Sequence, residues 1–355
     1  MSDRLDVLLL SLGTTLGWRV ADRLFLEQLE RAGVSTAAVS VRFGAAGRLR
    51  RAYPVNDLVE ALSARRALRS ALRSRCPGAL VISTTTAAML AQTGSLPYAV
   101  RLDAPACLNR PGFQNAGLHA LERRALSRAT LVLPWSQAAH AALPAGSAPA
   151  VVVPPAVERS AELVWKRERL AVAYTPDVKA KGLDIVCAAW AAAALEDARL
   201  QIFGVERDVA MAYLKRTQTP VAESVEFAGW RPAAEFRSAL RHARAYAGGA
   251  RWEDFGQAPL EALADGALLT TVPSGGPFEA LALARDLDPR LVAPSLDPAG
   301  LAAALRAAFE LPDREMWAYR ERVAVLLERF RPEAIQRVVE REVAPVLVSR
   351  RARPH

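Results

Sequence analysis

Residues 248–266 read Gly-Gly-Ala-Arg-Trp-Glu-Asp-Phe-Gly-Gln-Ala-Pro-Leu-Glu-Ala-Leu-Ala-Asp-Gly, and the way this stretch must be built points to the fold. The apolar run Ala243–Ala247 ahead of it predicts a buried strand that leads into two glycines and a polar loop. A short helix follows. Pro259 suits a first helical position, where its missing N–H would have had no partner. Gly266 suits the residue just past the helix end. A helix start beside Gly256 offers N–H groups and the positive end of a dipole, which attract an anion. Glu253 in the loop and Glu261 in the first helical turn frame it. Carboxylates repel an anion, so hydroxyl groups are their natural partners. The implied ligand carries phosphates and hydroxyls together.

Working outward, strands and helices alternate along the whole chain, which predicts parallel sheets with right-handed crossovers. Before residue 155 the expected strands are Val7–Ser11, Val34–Val41, Ala79–Ser83, Tyr98–Leu102 and Ala129–Leu133. Helices are expected up to Ala32 and over Asn56–Arg75, Asn115–Ser127 and Ser136–Leu143. Val151–Pro155 closes the first unit, and its prolines with the small polar run Pro144–Pro149 read as a stiff crossing, with the domain boundary near Pro155. Beyond it the strands are Leu170–Tyr174, Leu200–Phe203, Val225–Ala228, Ala243–Ala247 and Leu268–Val272, and the last helices are Arg314–Arg329 and Pro332–Val348. The fold class is therefore α/β, with domains at 1–155 and 156–330 and a C-terminal segment at 331–355.

Glu253-Asp254-Phe255-Gly256-x4-Glu261, followed by Ala262-Leu263-Ala264-x-Gly266, resembles the Glu-x7-Glu signature of retaining GT-B glycosyltransferases. That large family, glycosyl transferases group 1 or family 4, includes sucrose synthases and mannosyltransferases. The resemblance implies two Rossmann-like domains facing a cleft, with the C-terminal helix crossing back to the first, acceptor-side domain. It also implies transfer of a sugar, a hexose by expectation, from a nucleoside diphosphate sugar to an unidentified acceptor, without a metal or other cofactor. Glu261 would hold the ribose hydroxyls and Glu253 the sugar hydroxyls. Asp254, Phe255, Gly256 and Gln257 would line the donor.

Three further matches lie in the second domain. Lys181-Gly182-Leu183-Asp184 resembles the family's Lys-Gly motif, whose lysine meets the donor diphosphate. Val225–Trp230 resembles the strand and loop near the base, which points to Gly229 and Trp230. Ser274-Gly275-Gly276, with Glu279 nearby, resembles the loop after the signature helix. The motifs thus cover about Leu170–Phe309; the first domain matches by architecture alone.

In that first domain, Gly13-Thr14-Thr15-Leu16-Gly17 follows the opening strand. The resemblance brings Gly13 and Thr14 to the donor phosphates or the acceptor; a tight turn that needs glycine is the alternative. Asp103 stands where family members often carry a histidine against the transferred sugar. It contacts a sugar hydroxyl or pairs with Arg101. Asn109-Arg110-Pro-Gly is a candidate for ordering an acceptor. Family members also carry an arginine shortly before the lysine, and Ala173-Tyr174-Thr175-Pro176-Asp177 has none, which leaves Lys179 as a substitute. These departures keep open a non-catalytic GT-B-like protein that binds a nucleotide or a partner. Asp286-Leu287-Asp288 reads as a solvated loop.

Composition narrows the classes. With 355 residues and 52% apolar content, the chain has ample core for two domains. No apolar run reaches the ~18 residues of a membrane span. The opening Met-Ser-Asp-Arg-Leu-Asp lacks the pattern of a signal peptide. Cys76, Cys107 and Cys187 are widely spaced, which favours reduced thiols and a cytoplasmic protein. None pairs with a histidine at zinc-ligand spacing. The net charge is +9, and eight arginines against two acids, Asp57 and Glu60, lie in Arg48–Arg75. Without a nucleic-acid motif or interleaved aromatics, that segment points to peripheral contact with an anionic membrane rather than to nucleic acid.

Overall fold

The computed structural model describes residues 5–44, 47, 53–164 and 167–349. Arg48, Arg50 and Arg51 of the basic segment lie outside the described residues. The chain divides into two compact units, residues 1–156 with 332–355, and residues 157–331.

The first unit holds a five-stranded sheet, β1 (Val7–Ser11), β2 (Thr36–Ser40), β3 (Ala79–Ser83), β4 (Tyr98–Leu102) and β5 (Leu131–Pro134), in the order β2-β1-β3-β4-β5. All pairings are parallel. Every residue of β1, β3, β4 and β5 is buried, as expected for a sheet covered on both faces. Side chains alternate between those faces. Val7, Leu9, Val81, Ala99, Leu131 and Leu133 share one core with Phe25 and Leu29 and with Ile335, Val339, Val343 and Leu347 of the C-terminal segment. Leu8, Leu10, Leu80, Ile82, Val100 and Val132 share the other with Ala64, Leu68 and Ala71 of the Val55–Leu72 helix. The apolar positions of the C-terminal segment recur every four residues, so one helical stripe closes the sheet.

The second unit repeats the plan with β6 (Glu168–Tyr174), β7 (Arg199–Phe203), β8 (Val225–Gly229), β9 (Ala243–Gly248) and β10 (Leu268–Thr271), ordered β10-β9-β6-β7-β8 and all parallel. Both units are thus Rossmann-like α/β layers.

Three local readings are corrected. The signature helix is Gln257–Ala264, with Gly256 as its N-cap, so Pro259 is the third helical residue. Its missing N–H still falls among the first four, which have no intrahelical partner. Residues 286–288 are not a solvated loop: they end the helix Glu279–Leu287, and the buried Asp288 carboxylate accepts from Arg290 at 2.8–3.2 Å. The last helix includes a π-helical turn, Val339–Val343, between Pro332–Val338 and Ala344–Ser349. Among the described residues, no helix is long and apolar enough to cross a membrane, and no cluster of three His, Cys, Asp or Glu is placed to hold a metal.

Candidate functional site

Strands β6 and β9 are neighbours in the second sheet, so the loops that follow them leave the same edge together. Two glycines set how close they come. A Cβ on Gly182 would stand 1.9 Å from the carbonyl oxygen of Gly249, and one on Gly249 would stand 2.7 Å from Val186 Cγ2. Only residues without side chains allow this approach. Arg251 then ties the loops: its N–H donates to Ala180 O at 2.8 Å and its guanidinium to Lys179 O at 2.9 Å. The same guanidinium grips both oxygens of Asp184 at 2.9 and 2.6 Å. Residues 274–276 hold the next segment. Glu253 N–H donates to Gly275 O at 3.0 Å, and a Cβ on Gly276 would stand 2.3 Å from Glu253 O.

The result is a contact between two residues 72 apart in sequence: Lys181 Nζ donates to Glu253 Oε2 at 2.7 Å. The Glu253 side chain is 10% exposed and that of Lys181 27%. Burial pushes the Glu253 carboxyl above its ordinary value, and Lys181 pulls it back. Glu261 shows the same opposition, with burial raising it and the charge of Arg237 lowering it. Gln257 Nε2 donates to Glu261 Oε1 at 3.2 Å. Arg237 itself bonds Asp265, a fully buried residue at the end of this helix.

Between the two glutamates the backbone turns into the helix at Gly256, with φ +83. A Cβ there would strike the Phe278 ring at 2.3 Å, so glycine is required twice over. The first bond of the helical ladder runs from Leu260 N to Gly256 O at 3.1 Å, so the N–H groups of Gln257 and Ala258 stand ahead of it. A cation, helix N–H groups, the buried Glu253 carboxylate and the half-buried Glu261 carboxylate thus belong to two loops and the helix that follows one of them. Together they can hold negative charge beside hydroxyl groups.

Asp254 accepts from Trp252 Nε1 at 2.8 Å, and Phe255 is buried edge-on to Phe330. Gly229, with φ +73, ends β8, and Trp230 after it is 54% exposed. Sequence reasoning missed three residues here. Glu206 fixes that turn by accepting from Trp230 N at 3.1 Å; its signal was the Gly204 break after β7. Arg251 stood inside the quoted stretch as a cation two residues before Glu253. Arg237 carried no sequence signal.

The other candidates lie in the first unit. Asp103 follows β4 and accepts from Trp18 Nε1 at 3.0 Å and from Ala104 N at 2.8 Å. Arg101, the partner considered for it, forms an ion pair with Asp22 at 2.5 Å. Arg101 is fully buried within the sheet over the Phe25 ring, where Asp22 arrives on the Leu16–Arg31 helix and also accepts from Ser11 and Ser83 at 2.6 Å. Gly13 has φ +58, and its carbonyl accepts from Arg19 at 2.9 Å; Thr14 beside it is half-buried. Arg110, next to Asn109, stands 3.5 Å from Asp57 and stacks over Tyr53.

Residues 169–310 match the family model described as Glycosyl transferases group 1. No curated protein matches the chain. Solved structures share its fold. Sucrose-phosphate synthase from Thermosynechococcus elongatus aligns with a TM-score of 0.69 at 15% identity, over 94% of this chain and 96% of its own. Anabaena HepE in complex with UDP and glucose aligns at 0.65 and 15%, over 95% and 98%. The Escherichia coli trehalose-6-phosphate protein bound with UDP-2-fluoro glucose aligns at 0.68 and 11%, over 96% and 99%. At these identities the likeness is one of fold: two parallel-sheet Rossmann-like units, as in GT-B proteins.

Proposed function

We propose that this protein is a retaining glycosyltransferase that moves a sugar, a hexose by preference, from a nucleoside diphosphate sugar to an acceptor. The observation that carries the reading is the 2.7 Å contact of Lys181 with Glu253, at the mouth of the Gln257–Ala264 helix that bears Glu261. When the glycosidic bond breaks, the departing diphosphate gains negative charge. The Lys181 ammonium and the N–H groups from Phe255 to Ala258 would meet it, which is electrostatic stabilisation of a leaving group and assigns no metal or cofactor. As Lys181 divides itself between Glu253 and the diphosphate, a Glu253 oxygen is released to accept from the sugar hydroxyls. Glu261 then takes the ribose, with Gln257 orienting it, while Gly229 and Trp230 lie against the base. Asp103 would contact a sugar hydroxyl, and Gly13 and Thr14 the donor phosphates or the acceptor. The cytoplasm suits the three free cysteines.

A non-catalytic nucleotide-binding protein is the second reading. It is favoured by the engagement of Arg251, a cation of these loops, by both oxygens of Asp184. The structural neighbours that carry UDP or UDP-sugars make those the first compounds to try. Thermal shifts with UDP, GDP, ADP and their sugars identify the donor. Release of the free nucleoside diphosphate with sugar and sugar-phosphate acceptors then separates the readings. Turnover with the donor's anomeric configuration kept in the product supports the proposal. An inverted product overturns retention, and stabilisation without turnover over all acceptors supports the second reading.

A further inference from the structure

The helix Val55–Leu72 buries Ala61, Ala64, Leu68 and Ala71 against its own unit. Its opposite face, read at helical spacing, runs Val55, Leu58, Leu62, Arg66, Arg69 and then Arg73 at the C-cap. The apolar half is open to solvent: Val55 is 49% exposed, Leu58 55% and Leu62 48%. The arginines of the other half are exposed as well. Asp57 and Glu60 lie off this stripe, and Asp57 faces Arg110. On the flank of the helix a groove of about 450 Å³ opens against the edge strand β2, lined by Arg42, Arg66 and Arg75 with Ser63, Ser70 and Ser74, and among the described residues no carboxylate lines it. Arg75 donates to Ala38 O at 3.3 Å, on the backbone of that edge.

A stripe half aliphatic and half cationic has no use for water alone. Three large apolar side chains in one exposed row, continued by arginines, match a surface that is apolar below and anionic above. A nucleic-acid backbone would leave the aliphatic half without a partner. We propose that this face docks the protein on an anionic lipid bilayer. Val55, Leu58 and Leu62 enter the boundary of the acyl chains. Arg66, Arg69 and Arg73 meet lipid phosphates, and the groove of arginines and hydroxyls receives a headgroup.

The test is co-sedimentation of the full chain with phosphatidylcholine vesicles, with and without phosphatidylglycerol. Recovery is expected with the anionic vesicles at low salt and is expected to fall as salt rises. A variant carrying Arg66→Gln, Arg69→Gln and Arg73→Gln should partition about a hundredfold more weakly, at about fivefold per arginine. Leu62→Ser should lose about tenfold. All these side chains are exposed, so an unchanged melting temperature confirms that the variants are folded. Equal recovery with neutral and anionic vesicles overturns the proposal, as does undiminished recovery of the triple variant. Saturation by inorganic phosphate without any recovery on vesicles also overturns it and leaves a soluble-phosphate site.

Discussion

Gly182 and Gly249 lie backbone against backbone, and that approach sets the separation of Lys181 from Glu253. The Cβ of an alanine at 182 would stand 1.9 Å from the Gly249 carbonyl oxygen, and φ at this position is +62. Gly182→Ala is therefore predicted to cost about 3 kcal/mol or more, the left-handed backbone accounting for about 1–2 and overpacking for the rest. Gly33→Ala is the control, since Gly33 has φ +78 with nothing within 4 Å of an added Cβ. Urea unfolding should show only the backbone part of the loss there. Equal losses in the two variants would show that the close approach is not what Gly182 supplies.

The strands could be read from sequence because buried parallel strands are short, uniformly apolar runs, as Val7–Ser11 and Ala79–Ser83 are. The Lys181 and Glu253 loops could be read because each carries glycines and charge directly after such a run. The contacts that join them could not. Arg251 and Asp184 are 67 residues apart, Arg101 and Asp22 are 79 apart, and nothing local marks either pair. The helix Glu279–Leu287 was obscured by its alternating Ala-Leu pattern, which suits a strand as well as a helix.

Arg251 is predicted to act on the donor by positioning the Lys181 loop. It fixes that loop through two carbonyl oxygens and the fork to Asp184. Arg251→Ala should raise the KM for the donor about tenfold, with a smaller change in kcat, since the loop is displaced but its lysine remains. Arg251→Lys should recover little, because a single ammonium cannot reproduce the fork. Steady-state kinetics of the two variants decide it, and recovery by lysine would reduce Arg251 to a point charge.

Glu261 should make stability fall as pH rises through the acid range. Its folded pKa is raised, chiefly by burial. A carboxyl raised in the folded state holds its proton longer there than in the unfolded chain. Its contribution is therefore fully present below the unfolded value, about 4.3, and is lost as pH climbs through the folded one. Glu261→Gln removes the titration, so the variant should gain on the wild type across that window and keep the gain at neutral pH. It should bind nucleotide more weakly at the same time. Melting temperatures taken through the window check the sign, and a difference that shrinks as pH rises would contradict the assignment.

Lys181 carries the heaviest prediction. Its ammonium faces a buried carboxylate at 2.7 Å, so Lys181→Ala strands the charge of Glu253. Breaking a fully buried pair costs about 3–5 kcal/mol; with Lys181 27% exposed, about 2 kcal/mol is the expected loss. Lys181→Ala combined with Glu253→Gln should recover part of it, because the stranded charge is gone. Activity should behave differently. The diphosphate gains charge only as the bond breaks, so the cation matters more to the transition state than to the bound donor. Turnover is predicted to fall ~10²-fold or more in Lys181→Ala, with a smaller loss in nucleotide affinity, and the double variant should recover no rate. Single-turnover rates and nucleotide titrations on the folded variants measure both halves. A rate that returns with stability in the double variant would make the pair a structural strut and leave the diphosphate to other groups.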